Sequence, residues 1–480
     1  MYTLPPNSPC ERGIFCNRTL NLRNIKAVGY DMDYTLIHYH VEAWEGRAYD
    51  HMKKHFLSIG WPVEHLQFEP DWGTRGLVID RKKGNVLKVN RFGYVKAAAH
   101  GRRMLSYKEM RKAYEQTYVS LSKKRFRFLN TFFSLSEVCF YTQLVDLLDN
   151  GSLPEFISYE DLFEKVRKAL DHAHVEGELK ADIMADPAKY VELDPGVAMA
   201  LLDQRMSGKK VMLITNSGWT YTSFMMSYAI QPYLPEGMSW QELFDLVVVS
   251  ARKPDFFSGN SPAFEVVNEE GLLKPAIGGM EVGKKYLGGN AVQVEECLGL
   301  SGDHILYVGD HIFGDVNVSK QLLRWRAALI LRELEPELAA LSATARQKAE
   351  LQTLMHQKSK LESQRAQLRL SILRKSNEYG QQREESVEEL QKQLAELEAD
   401  IFTIDEKVTP LAIEQSQQVN ANWGYLLRTG NDQSHLCRQI ERYADLYTSR
   451  VSNFLAYTPY AYFRAPHESL SHDPVYAVED

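Results

Sequence analysis

The sequence predicts an α/β protein: a doubly wound, mostly parallel sheet with an inserted α+β block and a long helical hairpin. Three observations carry this prediction. Apolar runs at Ile25–Tyr30, Val211–Ile214, Phe244–Val249 and His304–Val308 each end in polar residues, with helical patterns between them. That alternation of strand and helix is the pattern of a parallel sheet. Residues 73–99 break into shorter runs parted by Gly and Asn, as antiparallel strands do. Residues 334–416 are rich in Glu, Gln, Lys, Ala and Leu, with apolar residues three, four and seven apart.

The opening run Ile25–Tyr30 has buried-strand character and leads straight into Asp31-Met32-Asp33-Tyr34-Thr35-Leu36. Strand side chains repeat every second residue, so Asp31 and Asp33 can turn to one place as the chain leaves the strand. In an open α/β sheet, ligands bind at that carboxyl edge. Two acids so close resist joint ionisation unless a cation lies between them or one keeps its proton. A DxD also occurs by chance at helix starts, so the pair alone decides nothing. Val41–Ile59 reads as a helix. Gly76–Asp80, Asn85–Val89 and Tyr94–Ala97 read as a small antiparallel meander, and the pattern from about Tyr107 to Lys180 reads as helical. The sheet resumes at Gly208–Ser217, where a buried strand ends in Thr215-Asn216-Ser217. Further strands end in Ser250-Ala251-Arg252-Lys253-Pro254 and in Gly309-Asp310-His311-Ile312-Phe313-Gly314-Asp315, and Trp325–Leu331 is one more.

In the hairpin, Leu351, Leu354, Leu361, Leu368 and Ile372 face Leu390, Leu394, Leu397 and Ile401, with the bend at Asn377–Gly380. The implied organisation is a core of 1–60 and 190–333, a cap insertion of 61–189, the hairpin 334–416, a segment 417–466 packing on the core, and a tail 467–480. A formal net charge of −7 gives no sign of a nucleic-acid footprint, which would need a basic face. Five scattered cysteines without CxxC spacing argue for a reducing compartment and against a zinc site. No apolar run is long enough to span a membrane, and the first residues lack a signal-peptide pattern. The expected location is the cytoplasm.

Taken together, Asp-x-Asp, Thr-Asn-Ser, Lys and Gly-Asp-x-x-x-x-Asp at successive strand ends resemble the haloacid-dehalogenase-like (HAD-like) superfamily of phosphotransferases, whose core is a Rossmann-like sheet. The likeness extends further. Asp31–Leu36, Gly309–Asp315, Arg442–Tyr447 and Leu129-Asn130-Thr131-Phe132-Phe133 resemble the cytosolic purine 5′-nucleotidases, which prefer IMP and GMP. The likeness covers about 20–330 and 420–466 and omits the hairpin. It implies Mg²⁺ held by Asp31, the backbone carbonyl of Asp33, and Asp310. Asp31 is then the nucleophile and Asp33 the general acid and base. Thr215, Asn216, Ser217 and Lys253 bind the phosphoryl group, and Asp315 orients Lys253 or metal-bound water. Phe133, Arg167, Asp171, His174 and Lys180 fall on the base-reading positions; Arg167, Asp171 and His174 share one helix face. Ser134 stands where the family has Asn, and Val175 where it has Tyr.

The resemblance further implies a purine nucleoside monophosphate as the partner, phosphotransferase activity, and a dimer or tetramer. Asn130 and Phe313 match part of a nucleotide effector site. Ser120 and Gln321 replace basic residues there, so weak or absent activation by ATP is expected. The competing readings are a phosphatase for another ester, such as a sugar phosphate, and a non-catalytic scaffold built on the hairpin.

Overall fold

The computed structural model describes residues 10–466 apart from 155, 176 and 417. The chain forms two compact units: the residues up to Glu335 with those from Leu426 onward, and Pro336–Tyr425. The inserted block belongs to the same unit as the sheet.

The first unit is built on a ten-stranded sheet. In chain order its strands are β1 (Ile14–Cys16), β2 (Ala27–Tyr30), β3 (Lys210–Ile214), β4 (Leu246–Val249), β5 (Ala263–Val266), β6 (Leu273–Pro275), β7 (Lys284–Gly288), β8 (Ile305–Gly309), β9 (Arg326–Ile330) and β10 (Leu446–Thr448). Their order in space is β1-β10-β9-β8-β2-β3-β4-β7-β5-β6. From β10 to β7 all neighbours run parallel, and β1, β5 and β6 add antiparallel edges. The central parallel strands are mostly apolar, as strands covered on both faces are. Val211–Ile214, Leu246–Val249 and Ile305–Val308 are all buried.

The predicted strands are present. The strands β1, β5, β6, β7 and β10 were not anticipated. They are short or mixed in composition, and β1 pairs with β10, which lies far off in sequence. The Arg442–Tyr447 motif leads into β10. Asp445, at its entrance, is buried among Lys320, Arg326 and Arg18, and its carboxylate accepts from the Ala327 N–H at 2.9 Å.

The block 61–189 carries a second sheet of five antiparallel strands: Arg103–Met104, Val95–His100, Asn85–Val89, Val78–Asp80 and Phe126–Phe128. The expectation of helix from Tyr107 onward is corrected here. The helix Tyr107–Tyr114 is followed by the strand Phe126–Phe128, because Phe126 and Phe128 alternate with Arg127 and add an outer strand. Helices Leu135–Asp149, Tyr159–Val175 and Glu178–Ala185 complete the block.

The second unit contains the helices Ala345–Ser376 and Val387–Ser416. Leu368, Leu390, Ile401 and Val408 are buried along their seam. Arg369 and Glu398 form an ion pair at 2.7 Å across it. Among the described residues no helix is long and apolar enough to cross a membrane.

Candidate active site

The polar strand ends of β8, β2, β3 and β4 are neighbours in the sheet, so their residues converge at its carboxyl edge. Asp31 follows β2 directly, and its N–H donates to the Val308 carbonyl of β8 at 2.9 Å. Lys253 Nζ lies 2.8 Å from Asp31 Oδ1 and 2.8 Å from Asp315 Oδ1. It also donates to the Tyr307 hydroxyl at 3.0 Å, which donates in turn to the Ile214 carbonyl at 2.8 Å. Lys253 is delivered by a turn in which Ser250 and Arg252 are left-handed, at φ 48° and 59°. Such positions cost on the order of 1–3 kcal/mol each and persist where surrounding structure fixes them. Asn216 does the fixing: its Oδ1 accepts from the Lys253 N–H at 2.6 Å, and its Nδ2 donates to the Lys253 carbonyl at 3.1 Å.

Asp31, Asp310 and Asp315 bring carboxylate oxygens within 4.8 Å of one another, and all three are buried. Lys253 alone cannot neutralise them. Burial pushes Asp31 up to about 7 against the opposing pull of Lys253. Burial, with Asp315 and Asp31 nearby, pushes Asp310 well above the usual carboxylate range. Burial would lower the Lys253 ammonium, but Asp31 and Asp315 outweigh it and hold it above its ordinary value. Three buried carboxylates with one ammonium form a hard-oxygen donor set deficient in positive charge, which fits Mg²⁺.

The side chain of Asp33 turns away from this cluster. The Tyr39 hydroxyl donates to its Oδ1, and Ser217 Oγ donates to its Oδ2 at 2.6 Å. Lys180 Nζ donates to Ser217 Oγ at 2.9 Å and sits 4.8 Å over the Tyr221 ring. The Thr215 side chain is buried and accepts from the Ser217 N–H at 3.1 Å.

Beyond Asp33 opens a cavity of about 300 Å³ between the sheet edge and the inserted block. Asp33, Asn216 and Ser217 line its floor. Phe133, Arg167 and Asp171 line it further out, with Trp44, Arg127, Asn130, Thr131, Ser134, Leu170, Lys180 and His311. Arg167 pairs with Asp171 at 3.1 Å and with the buried Glu137 at 3.4 Å. The structure therefore brings together Asp31, Asp310, Asp315 and Lys253 in one cluster. It places Asp33, Asn216, Ser217, Phe133, Arg167, Asp171 and Lys180 on one cavity. Lys180 stands at the Ser217 end rather than beside Arg167. His174 lies on the helix Tyr159–Val175, but its side chain is outside the described residues.

Sequence reasoning did not single out Tyr39, Arg75, Arg127, Thr131 or Tyr307. Tyr307 left a trace: a tyrosine inside the buried run Ile305–Gly309 needs a partner for its hydroxyl. Arg75 left none, since it reaches the site from a distant part of the chain. Tyr39, though only six residues beyond Asp33, left none because nothing in its pattern marks its hydroxyl as a partner of that carboxylate.

A model of the 5′ nucleotidase family matches residues 14–475. A 5′-nucleotidase domain-containing protein of Dictyostelium discoideum is 26% identical over 461 residues, spanning 92% of this chain and 72% of its own. Among solved structures, a predicted phosphoglycolate phosphatase from Haemophilus somnus aligns over 64% of this chain and 85% of its own, at 11% identity and a TM-score of 0.27. A β-phosphoglucomutase from Pyrococcus aligns over 64% and 86%, at 10% identity and a TM-score of 0.29. The family match runs through both the sheet and the cavity-lining block, and so the chain belongs to the 5′ nucleotidase family and is a phosphoric monoester hydrolase.

Proposed function

We propose that the chain hydrolyses purine nucleoside 5′-monophosphates, namely IMP, GMP and their deoxy forms, with Mg²⁺, through an aspartyl-phosphate on Asp31. The observation that carries this is Lys253 bridging Asp31 and Asp315 at 2.8 Å each, with its backbone held by Asn216, which lines the same cavity as Phe133, Arg167 and Asp171. Asp31, Asp310 and the Asp33 carbonyl would hold the cation, with Asp315 within reach. When bound, the cation offsets the charge between an anionic ester and a carboxylate nucleophile.

Asp31 attacks phosphorus, and the bond to the ester oxygen breaks as Asp33 protonates that oxygen. Asp33 then removes a proton from the water that cleaves the acyl phosphate. Asp33 is held for this by Tyr39 and Ser217, on the cavity side of the loop. Lys253 stabilises charge developing on the transferring group. Lys180, and the Ser217 hydroxyl once it turns from Asp33, supply hydrogen bonds to the phosphoryl oxygens. Asn216 contributes by locking the Lys253 backbone.

Phe133 offers a stacking face to the base. Arg167 offers donors to an oxo group at purine C6, and Asp171 is its partner. Adenine presents an amino group there and would be disfavoured. Interception of the acyl phosphate by a nucleoside hydroxyl would give phosphotransfer. The protein is proposed to act in the cytoplasm as a dimer or tetramer, on nucleotides rather than on nucleic acid or membranes, with little activation by ATP. The Ser120 hydroxyl bonds locally to that of Ser122, at 2.8 Å, and Gln321 is exposed.

The test is a panel of phosphate esters with Mg²⁺, with and without ATP. IMP and GMP should be cleaved at least tenfold faster than AMP and than ribose 5-phosphate, and EDTA should abolish release. Equal rates for ribose 5-phosphate and IMP would favour a general sugar-phosphate phosphatase instead. Asp31→Asn should remove turnover while leaving the melting temperature within a few degrees. Retained turnover would rule out the nucleophile assignment.

A further inference from the structure

We propose that Arg75, carried by the inserted block, is the positioning residue of the cation-binding loop, so that the cap forms part of the metal site. This rests on the reading that Asp31, Asp310 and the Asp33 carbonyl hold the divalent ion, with Asp315 beside them.

The Arg75 side chain is 0% exposed. Its guanidinium donates to the Asp310 carbonyl at 3.0 Å, to the Ile330 carbonyl at 3.4 Å and to Glu333 at 2.6 Å. It also lies 5.1 Å from the centroid of the Phe132 ring. Gly76 and Leu77 lock the segment in place by pairing with the backbone of Leu129, at 2.7 and 2.9 Å. Burying a guanidinium costs several kcal/mol unless it is paired, and Glu333 supplies the pairing charge. A purely structural arginine would need no more than that. Here the other arm of the fork reaches the main chain of a metal-ligand candidate.

The peptide that Arg75 holds has a second engaged edge. A peptide unit is planar and trans, so its C=O and N–H point in opposite directions. The carbonyl of the Asp310–His311 peptide faces Arg75, and its N–H donates to Asp315 Oδ2 at 3.1 Å. The other oxygen of Asp315 holds Lys253. One plane thus links a cap guanidinium to Asp310, Asp315 and Lys253. Rotating that plane would move one ligand, Asp310, and release the Asp315 carboxylate that holds Lys253. Groups behind a metal ligand that fix its direction typically change metal affinity ten- to a hundredfold when removed.

The experiment is Mn²⁺ binding to nucleotide-free protein, followed by the EPR signal of free Mn²⁺. Wild type, Arg75→Lys and Glu333→Gln are compared, with melting temperatures for each. Arg75→Lys keeps the charge but loses the fork. It should weaken Mn²⁺ binding at least tenfold and raise the Mg²⁺ concentration giving half-maximal turnover by a similar factor. KM for IMP at saturating Mg²⁺ should stay within about twofold. Glu333→Gln frees the far arm and should give a severalfold loss. A folded Arg75→Lys protein with wild-type Mn²⁺ affinity overturns the proposal. If Arg75→Lys does not fold, wild-type affinity in Glu333→Gln overturns it. Failure of the nucleotidase reading would show separately, as no phosphate release from IMP by the wild type, and the Mn²⁺ titration would still report on Arg75.

Discussion

At the scale of single residues, the site depends on small groups that make room for large ones. Gly29 lies in β2 beside Tyr307, and a Cβ there would sit 2.9 Å from the Tyr307 ring. Tyr307 in turn holds Lys253. Gly29→Ala should therefore act twice. Overpacking should cost about 1–3 kcal/mol in urea unfolding, and displacement of Tyr307 should lower kcat severalfold with KM little changed. Wild-type kcat in the folded variant would disconnect Tyr307 from the chemistry. Asp31, Lys253 and Asp310 were legible in the sequence because each ends an apolar strand, and strand ends meet by topology. Asn216 was legible as a member of the cluster but not in its role, since its bonds to both polar groups of the Lys253 backbone depend on a turn with left-handed residues. Arg75 was not legible at all. It precedes a glycine in a polar stretch, and only the folded chain places it behind Asp310.

At the scale of elements, legibility follows the period of the pattern. The helices Ala345–Ser376 and Val387–Ser416 announced themselves through a sustained apolar repeat, whose residues are buried at Leu368, Leu390 and Ile401 and half-buried at the remaining positions. Leu390 is 0% exposed. Leu390→Ala should cost about 2–5 kcal/mol, the usual range for a buried leucine, and should shift helix unfolding seen by circular dichroism while leaving IMP hydrolysis unchanged. A loss of hydrolysis equal to that of a site variant would give the hairpin a part in catalysis. The strand Phe126–Phe128 and the edges β5 and β6 were illegible for the opposite reason. Three or four residues carry too little periodicity, and partners supplied from elsewhere decide their state.

At the scale of the whole molecule, buried titratable groups set opposing pH responses. His38 and His435 are buried, and burial above all holds each at about 4, below the ordinary 6.5. Neither ring nitrogen of His38 has a hydrogen-bond partner among the described residues. The unfolded chain therefore binds more protons than the native one between about pH 4 and 6.5. Stability should be full above 6.5 and fall as pH drops through that window, by on the order of 3 kcal/mol for each histidine. Asp31 acts in the other direction when no cation is bound: raised to about 7, it favours the native state at low pH and loses that contribution as pH rises from about 4 to 7. Mg²⁺ should remove this second slope by favouring the ionised carboxylate. Melting temperatures with EDTA should thus be flatter across pH 5–7 than with Mg²⁺, where acidification should lower them steadily. Identical profiles would mean that the cation does not meet Asp31.

The seating of β10 between β9 and β1 has a consequence for how the protein is made. Ile14–Cys16 leave the ribosome long before their hydrogen-bonding neighbour Leu446–Thr448. Until more than four hundred further residues have been translated, that early segment has no strand to dock on and the β9 flank stays open. The half of the sheet that carries Asp31 and Lys253 can assemble on the nascent chain. The opposite margin must wait until Leu446–Thr448 have emerged, so a truncation before Leu446 would strip two strands at once and leave an exposed edge to recruit other chains.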